Sequence, residues 1–374
     1  MSIAVAHVMR TYGVHGGERQ LAQLFRSFEV PEFRHLFFFV YRDDICQRYF
    51  SGISKLRTET LLGLRAKVFP SLCKELMLLL LLLPLLQLRL LFALRRNDCR
   101  ICVAHGVQGA MVAWLAAIVL RKVRFVYVHR GTKSARGKHP LFSLLYRPYD
   151  VIAGVSHASA DSLKDVAPHV RPVAIENGID SEAIDRSCAE CPPRPPKSSF
   201  TIVCVGRLTP EKGQGLILEA FASLRAQVPT AELVVAGGGP DADNLSAKAM
   251  SLGVAKAVHF LGDRHDVLCL LSHSDVFVHA SESEGLSNAV LEAMAVGLPS
   301  VVVDAPGVTE CHVDGSTAYV VSRNSDALCE RLLQLAQEPE FRVRMGQAAK
   351  ARVRERYSMD ANCARYAALY RQLT

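Results

Sequence analysis

The chain has 374 residues, half of them hydrophobic and 21% charged, with 44 Lys and Arg against 36 Asp and Glu for a formal net charge of +8. That length suggests two domains, and that composition supplies a large buried core and excludes wholesale disorder. The charge is unevenly spread: residues 1–180 hold 25 basic and 13 acidic side chains, and residues 181–374 hold 19 and 23, so the front half is expected to meet something anionic.

The N-terminal Met1-Ser2-Ile3-Ala4-Val5-Ala6 has no basic n-region and no cleavage site, and it reads as a strand rather than a signal peptide. Apolar runs of strand length follow at Ile3–Val8, Leu36–Tyr41, Ile101–Ala104, Phe125–Val128, Val151–Val155 and Pro172–Glu176. In the second half they recur at Thr201–Val205, Glu232–Ala236, Val258–Leu261, Val276–His279, Ser300–Val303 and Ala318–Val321. Runs this apolar suit parallel strands covered on both faces, and helical patterns lie between them. The alternation predicts an α/β chain with two doubly wound, Rossmann-like domains. The boundary is expected around Asn177–Asp180 and the segment Cys191–Ser199, whose four prolines exclude helix and central strand. The first domain is taken as 1–180 and the second as 181–357. Phe341–Thr374 reads as helical with a break near Tyr357-Ser358.

Leu76 to Leu86 is eleven uncharged residues, almost all Leu, followed by Gln87, Arg89 and a second Leu-rich run to Leu94. A membrane-spanning helix needs about 20 mostly apolar residues, and Pro84, Gln87 and Arg89 interrupt this one. Its place between strands favours a helix covering the first sheet. Such a helix normally shows water a polar face, and this one is apolar all round. With Arg57, Arg65, Lys67, Lys74, Arg89, Arg95 and Arg96 around it, its outer face is expected to rest on an anionic membrane surface.

The eleven cysteines read as intracellular, with Cys204, Cys269 and Cys329 expected as buried free thiols. Cys99/Cys102 and Cys188/Cys191 have CxxC spacing, but the first pair falls on a strand and the second in a linker, so zinc is not expected. His7, His15 and His105 fall near one sheet edge without metal-ligand spacing and read as structural.

Chemistry concentrates at the carboxyl ends of strands. Gly206-Arg207 to Lys212-Gly213 follows Thr201–Val205 and offers two cations five residues apart, a clamp for a diphosphate. After Val276–His279 come Glu284-Gly285-Leu286-Ser287-Asn288 and a helix carrying Glu292. The N–H groups of Gly285 to Asn288 can face an anion. Glu284 and Glu292, eight residues apart, are too far along the chain for a tight dyad but can reach two ends of one elongated, hydroxyl-rich ligand. Gly13 to Arg19, with Gly16 and Gly17, follows the first strand without a G-x-G-x-x-G spacing, so a dehydrogenase fingerprint fails. Gly237–Gly239 is a weaker turn of the same kind. His129-Arg130 closes Phe125–Val128.

Taken together, Gly206-Arg-Leu-x-x-x-Lys212-Gly, Glu284-Gly-Leu-Ser-Asn-x-x-x-Glu292-Ala-Met-Ala and Asn177-Gly-Ile-Asp180 resemble the retaining glycosyltransferases of group 1. So do Gly262-Asp-Arg-His-Asp-Val267, Ser274-Asp-Val-Phe-Val278 and Gly16-Gly17-Glu-Arg. The resemblance implies a GT-B fold, with two Rossmann-like domains facing a central cleft that closes over the donor. It also implies that the last helix, 358–374, returns to the first domain. Arg207 and Lys212 would hold the donor diphosphate and steady the leaving nucleotide, beside Gly206. Glu284 would contact the donor sugar and Glu292 the ribose. Backbone amides of Gly285, Leu286, Ser287 and Asn288 would complete the phosphate site, Gly16 and Gly17 would approach donor phosphate and acceptor, and His129 would lie beside the reacting sugar. The base would lie near the backbone of Arg264. No metal and no cofactor beyond the nucleotide sugar is implied. Transfer would retain anomeric configuration through a front-face, oxocarbenium-like transition state, since no residue is an obvious nucleophile for double displacement.

Many relatives have Gly-Phe-Gly after the first glutamate, where this chain has Gly285-Leu286-Ser287-Asn288. The variant resembles enzymes using UDP-linked hexoses or N-acetylhexosamines, with GDP-mannose left open. The basic, Leu-rich first domain resembles bacterial enzymes that act on lipid-linked or membrane-bound acceptors, such as those building lipopolysaccharide and other surface polysaccharides. A cytoplasmic enzyme peripheral on the inner face of the membrane is expected. A sugar-nucleotide epimerase of the same fold and a membrane-attached scaffold are the competing readings. Nucleic acid is not an expected partner, because the basic residues lack interleaved aromatics.

Overall fold

A computed structural model describes residues 2–11, 13–65, 72–132, 140–194 and 199–374. Lys67 and residues 195–198 of the Pro-rich stretch lie outside the described residues, as does the side chain of Lys74. The chain divides by its contacts into two units, one of Met1–Gly178 with Met359–Thr374, the other Ile179–Ser358.

In the first unit the chain runs β1 (Ile3–Met9), α1 (Gly16–Ser27), β2 (Phe33–Arg42), α2 (Asp44–Ser51), β3 (Leu56–Arg65), α3 (Leu72–Arg96), β4 (Cys99–His105) and α4 (Gly106–Val119). It continues through β5 (Arg124–His129), α5 (Pro140–Tyr146), β6 (Val151–Gly154), α6 (His157–Asp161) and β7 (Val173–Ala174). The second unit runs α7 (Ser181–Ala189), β8 (Thr201–Val205), α8 (Gln214–Gln227), β9 (Glu232–Ala236), α9 (Ala242–Ser251), β10 (Val258–Phe260) and α10 (Val267–Ser272). Then come β11 (Val276–His279), α11 (Asn288–Val296), β12 (Ser300–Val303), β13 (Ala318–Val321), α12 (Ser325–Gln337) and α13 (Pro339–Arg356). The last helix, α14 (Met359–Leu373), returns to the first unit after a break at Tyr357-Ser358.

Both sheets are parallel throughout, in the orders β3-β2-β1-β4-β5-β6-β7 and β10-β9-β8-β11-β12-β13. The chain reverses direction beside β1 in one and β8 in the other, the doubly wound topology. Strands such as Val276–His279 and Ser300–Val303 are buried along their whole length because helices cover both faces. β3 was not legible as a strand. It is an edge strand pairing with β2 alone, and its Arg57, Thr58 and Glu59 face outward in part, which breaks the apolar run. β7 is shorter than the expected Pro172–Glu176, although the Ile175 and Asn177 N–H groups still donate to Gly154 O and Val155 O at 2.8 and 3.3 Å. The Ile179 N–H donates to Tyr357 O at 2.8 Å, which puts Ile179 and Ser358 in the second unit. α14 is fixed to the first unit by Asn362 Nδ2 on Glu176 O at 2.5 Å, by Arg365 on Glu176 at 3.0 Å and by Tyr370 against Phe28 and Phe33.

α3 is the Leu-rich segment, and it covers the first sheet with one face only. Leu79, Leu86, Leu90 and Leu94 form a fully buried seam, whereas Met77, Leu81 and Phe92 are 71%, 76% and 63% exposed. Pro84 sits inside the helix. Residues Met77–Arg96 are long and apolar enough to cross a membrane, and a third of that window is buried in the protein. The Arg89 guanidinium is spent on Leu61 O at 2.7 Å.

One cysteine expectation is corrected. Cys269 is not a free thiol: it is bridged to Cys191, 78 residues away, with Cα atoms 5.6 Å apart. α7 carries Cys191 past its end to α10, and Cys188 of the CxxC pair remains a free thiol. Cys204 and Cys329 are free and buried. Among the described residues no group of three or more His, Cys, Asp or Glu is arranged to hold a metal ion. Closing so long a loop stabilises by up to about 4 kcal/mol. Thermal unfolding under non-reducing conditions is therefore expected to fall by several degrees in Cys191→Ser/Cys269→Ser, with reductant lowering wild type to match. Equal midpoints with and without reductant would exclude the bridge.

Candidate functional site

Lys212 and Glu284 come from loops 72 residues apart in sequence, and the fold presses those loops together at the carboxyl ends of β8 and β11. Gly213 makes this possible. It has φ +72°, and a Cβ there would stand 2.2 Å from Ala280 O. The Glu282 N–H donates to Glu211 O at 2.9 Å, stitching the loops by their backbones. On the far side Gly307 lets the chain pass Glu284, whose carbonyl oxygen would lie 2.0 Å from a Cβ. The Glu284 N–H is held by Pro306 O at 2.9 Å. The position beside β8, where the winding reverses, is where doubly wound sheets bind ligands.

Three donors converge on one oxygen of the Glu284 carboxylate. Lys212 Nζ is 2.6 Å from Oε1, Ser281 Oγ 2.8 Å and His279 Nε2 3.1 Å. Burial alone would push this carboxyl up. The His279 hydrogen bond and charge, then the Lys212 ammonium, overrule it and hold the group at about 2. His279 and Ser281 carry no motif in the sequence. His279 reads there as a strand-end residue, and only the return of the loop brings its ring to the carboxylate. Gln214 is another such residue: its Nε2 donates to Arg207 O at 3.0 Å and fixes the backbone under Arg207, whose side chain is exposed.

The remaining expected residues fall as follows. Gly206 ends β8 and is packed by Gly237, where a Cβ would meet Gly206 O at 2.0 Å. Gly285, Leu286 and Ser287 are buried and lead into α11, which begins at Asn288 and carries Glu292. Arg264 stands in the loop after β10, its guanidinium turned to Asp266 in a two-pronged pair at 2.8 and 2.6 Å. That loop is tied to the Gly237–Gly239 turn through Asp263, which accepts from the Gly238 N–H at 2.8 Å.

Gly16, Gly17 and His129 belong to the first unit. Gly16 and Gly17 open α1, where the His15 N–H donates to Glu18 Oε2 at 3.2 Å as half of a capping box. His129 is buried at the end of β5. Tyr146 OH donates to Tyr127 OH, so Tyr127 OH donates to His129 Nδ1 at 2.9 Å. Burial pulls the ring down to about 4, so it is neutral with its proton on Nε2. His129 is therefore a hydrogen-bond donor at neutral pH and not a proton source.

This architecture is the GT-B fold. Anabaena Alr3699/HepE, crystallised in complex with UDP, superposes over 100% of both chains with a TM-score of 0.79 at 18% identity. Residues 192–352 match the family model Glycosyl transferases group 1. N-acetyl-alpha-D-glucosaminyl L-malate synthase of Bacillus anthracis is 25% identical over 289 residues, 74% of this chain and 76% of that one. A GDP-mannose-dependent alpha-(1-6)-phosphatidylinositol monomannoside mannosyltransferase of Mycolicibacterium smegmatis is 33% identical over 159 residues, 40% of this chain and 42% of that protein's length.

Linkage gives the site a defined acid limit. Because the folded carboxyl lies below the ordinary 4.5, its contribution to stability is complete above about pH 4.5 and is lost as pH falls toward 2. Carbon-13 NMR titration of Glu284 is expected to show a midpoint near 2 in wild type and a clearly higher one in Lys212→Ala. An unchanged midpoint in the variant would remove the ammonium as a cause.

Proposed function

We propose that the protein transfers a hexose or N-acetylhexosamine from a nucleotide sugar, UDP-linked in the favoured reading, to a lipid-linked or surface-glycan acceptor, with retention and without a bound metal. The observation that carries the reading is the convergence of Lys212, His279 and Ser281 on Glu284 Oε1, with Arg207 exposed on the loop that follows β8. Lys212 and Arg207 supply the positive charge that a departing nucleoside diphosphate requires. Glu284, ionised far below neutrality, is no general acid, and its engaged Oε1 makes it a poor nucleophile. It suits orientation of a sugar hydroxyl, which is what front-face retention asks of it. Glu292 takes the ribose, and the Gly285–Asn288 amides with Gly206 take phosphate. The Arg264 backbone borders the base. In the first unit, Gly16 and Gly17 are assigned to phosphate and His129 Nε2–H to a sugar hydroxyl.

The UDP complex of HepE supports a uridine donor, whereas the mannosyltransferase relative uses GDP-mannose. The lipid in that relative's name and the outer face of α3 both support a membrane acceptor and a peripheral location on the cytoplasmic face. α3 packs on α4 and α4 on α5, and Ile118, Leu141 and Leu144 extend the exposed apolar surface. Arg121, Lys122 and Arg147 lie exposed along the same helices and the turns that follow them. Exposed aliphatic and aromatic side chains beside Arg and Lys suit an anionic interface.

Two experiments test this. In a metal-free calorimetric panel, one nucleotide sugar is expected to bind and to weaken at least about tenfold in Arg207→Ala. Glu284→Ala is expected to lower transfer by at least about a hundredfold. Binding of GDP-mannose alone would replace the UDP donor and keep the class. Absence of any nucleotide binding would overturn it, and release of an altered sugar without acceptor would mark an epimerase. In vesicle sedimentation, anionic vesicles are expected to retain wild type. Leu81→Asp/Phe92→Asp should weaken retention by about tenfold or more. Equal retention by the variant would show that this face does not meet the membrane.

A further inference from the structure

Arg130 follows β5 and carries a charge that no close carboxylate answers. Its Nη2 donates to His105 Nδ1 at 3.2 Å, and its Nε is enclosed without a partner. Among the described residues no carboxylate oxygen lies within the 4.0 Å of an ion pair. The titratable groups that act on it are Glu18 of α1 and Tyr366 of α14, with His7 and His105 on the strands behind. Glu18 is already committed to capping α1. A largely enclosed guanidinium with only through-space compensation is costly unless a ligand completes it.

The residues behind Arg130 form a directed chain. His7 Nδ1 meets His105 Nε2 at 3.0 Å, and His7 Nε2 meets His35 Nδ1 at 3.0 Å. All three rings are buried, and burial holds His7 and His105 well below the ordinary range and His35 at about 4, so each is neutral with one proton. Arginine can only donate, so His105 Nδ1 is an acceptor and its proton is on Nε2. That proton goes to His7 Nδ1, which puts the proton of His7 on Nε2 and directs it to His35. Every hydrogen bond runs away from Arg130, and the chain anchors its inner edge while offering no negative charge. The outer edge lies under the glycine step that opens α1. A Cβ on Gly17 would be 3.6 Å from Arg130 Cδ and 4.0 Å from Nη1.

We propose that Arg130 is an anion-binding residue whose outer guanidinium edge takes a phosphoryl oxygen at the Gly16–Gly17 step, with His105, His7 and His35 as positioning residues that hold it there. The proposal rests on the transferase reading only for the source of that oxygen. A donor diphosphate and a phosphate on a lipid-linked acceptor offer the same chemistry, and guanidinium matches either in two-pronged fashion.

The full chain is titrated calorimetrically with inorganic pyrophosphate, UDP and GDP. Pyrophosphate affinity is expected to fall at least about tenfold in Arg130→Gln and to be regained within about threefold in Arg130→Lys. If a nucleotide weakens in parallel, the oxygen is the donor's; if nucleotides are unaffected while pyrophosphate is lost, it is the acceptor's. Pyrophosphate binding without any nucleotide binding would sink the transferase reading and leave the Arg130 site standing. Failure of pyrophosphate to bind wild type, or equal affinity in Arg130→Gln, overturns the proposal. Nitrogen-15 spectra of the histidines are expected to show Nε2–H at His7 and His105, and Nδ1–H at His105 would overturn the chain. Should Arg130→Gln fail to fold, His105→Phe, which keeps Arg130, is expected to weaken pyrophosphate severalfold, and no change there overturns the positioning role.

Discussion

The second unit is organised around a carboxylate that cannot be buried alone. Glu284 is tolerable inside the protein because an ammonium, an imidazole and a hydroxyl all reach one of its oxygens. Getting them there requires the loops after β8 and β11 to touch by their backbones, and that contact has no room for a side chain. Gly213 against Ala280, Gly307 against Glu284 and Gly237 against Gly206 are three places where any Cβ would overlap a carbonyl oxygen. The glycines are thus part of the electrostatics, since they set the distance at which Lys212 acts. The same arrangement keeps Lys212 paired and partly buried.

The first unit solves a different problem with different residues. Three imidazoles lie across β1, β2 and β4 on one face of the sheet, where apolar side chains would be the ordinary filling. Kept neutral by burial, they hydrogen-bond to one another in series and need no counter-ion. The chain begins on a cation, Arg130, and ends on His35, packed edge-on against Phe28. His129, on the neighbouring β5, is held in one tautomer by a tyrosine pair. In both cases a ring is oriented by one nitrogen so that the other group in the series can act.

α3 shows how far composition can mislead about environment. Its sequence is equally apolar on every side, and length and composition alone would let it span a bilayer. Only one seam is claimed by the sheet, through Leu79, Leu86, Leu90 and Leu94. The other faces leave apolar side chains such as Met77, Leu81 and Phe92 exposed, and Ile118 of α4 and Leu141 and Leu144 of α5 are exposed as well.

Much of the fold follows from local rules. Runs of β-branched and aliphatic residues dictate strands, their spacing by helical patterns dictates parallel winding, and glycines and charged residues at strand ends dictate where ligands can approach. Among the described residues, eleven of the thirteen strands end within a residue or so of the apolar runs, and the motifs at 206–213 and 284–292 were legible because loop chemistry is written contiguously. Tertiary structure alone decided the rest. The edge strand β3 is amphipathic because only β2 pairs with it. The bridge of Cys191 to Cys269 and the meeting of His279 with Glu284 depend on chain returns that no spacing encodes. The same holds for His35, His7, His105 and Arg130, which come from four different strands or strand ends. Their hydrogen bonds exist because parallel register sets one pleat beside the next. A residue's partners across a sheet are fixed by register and packing, quantities that belong to the folded chain and not to any window of its sequence.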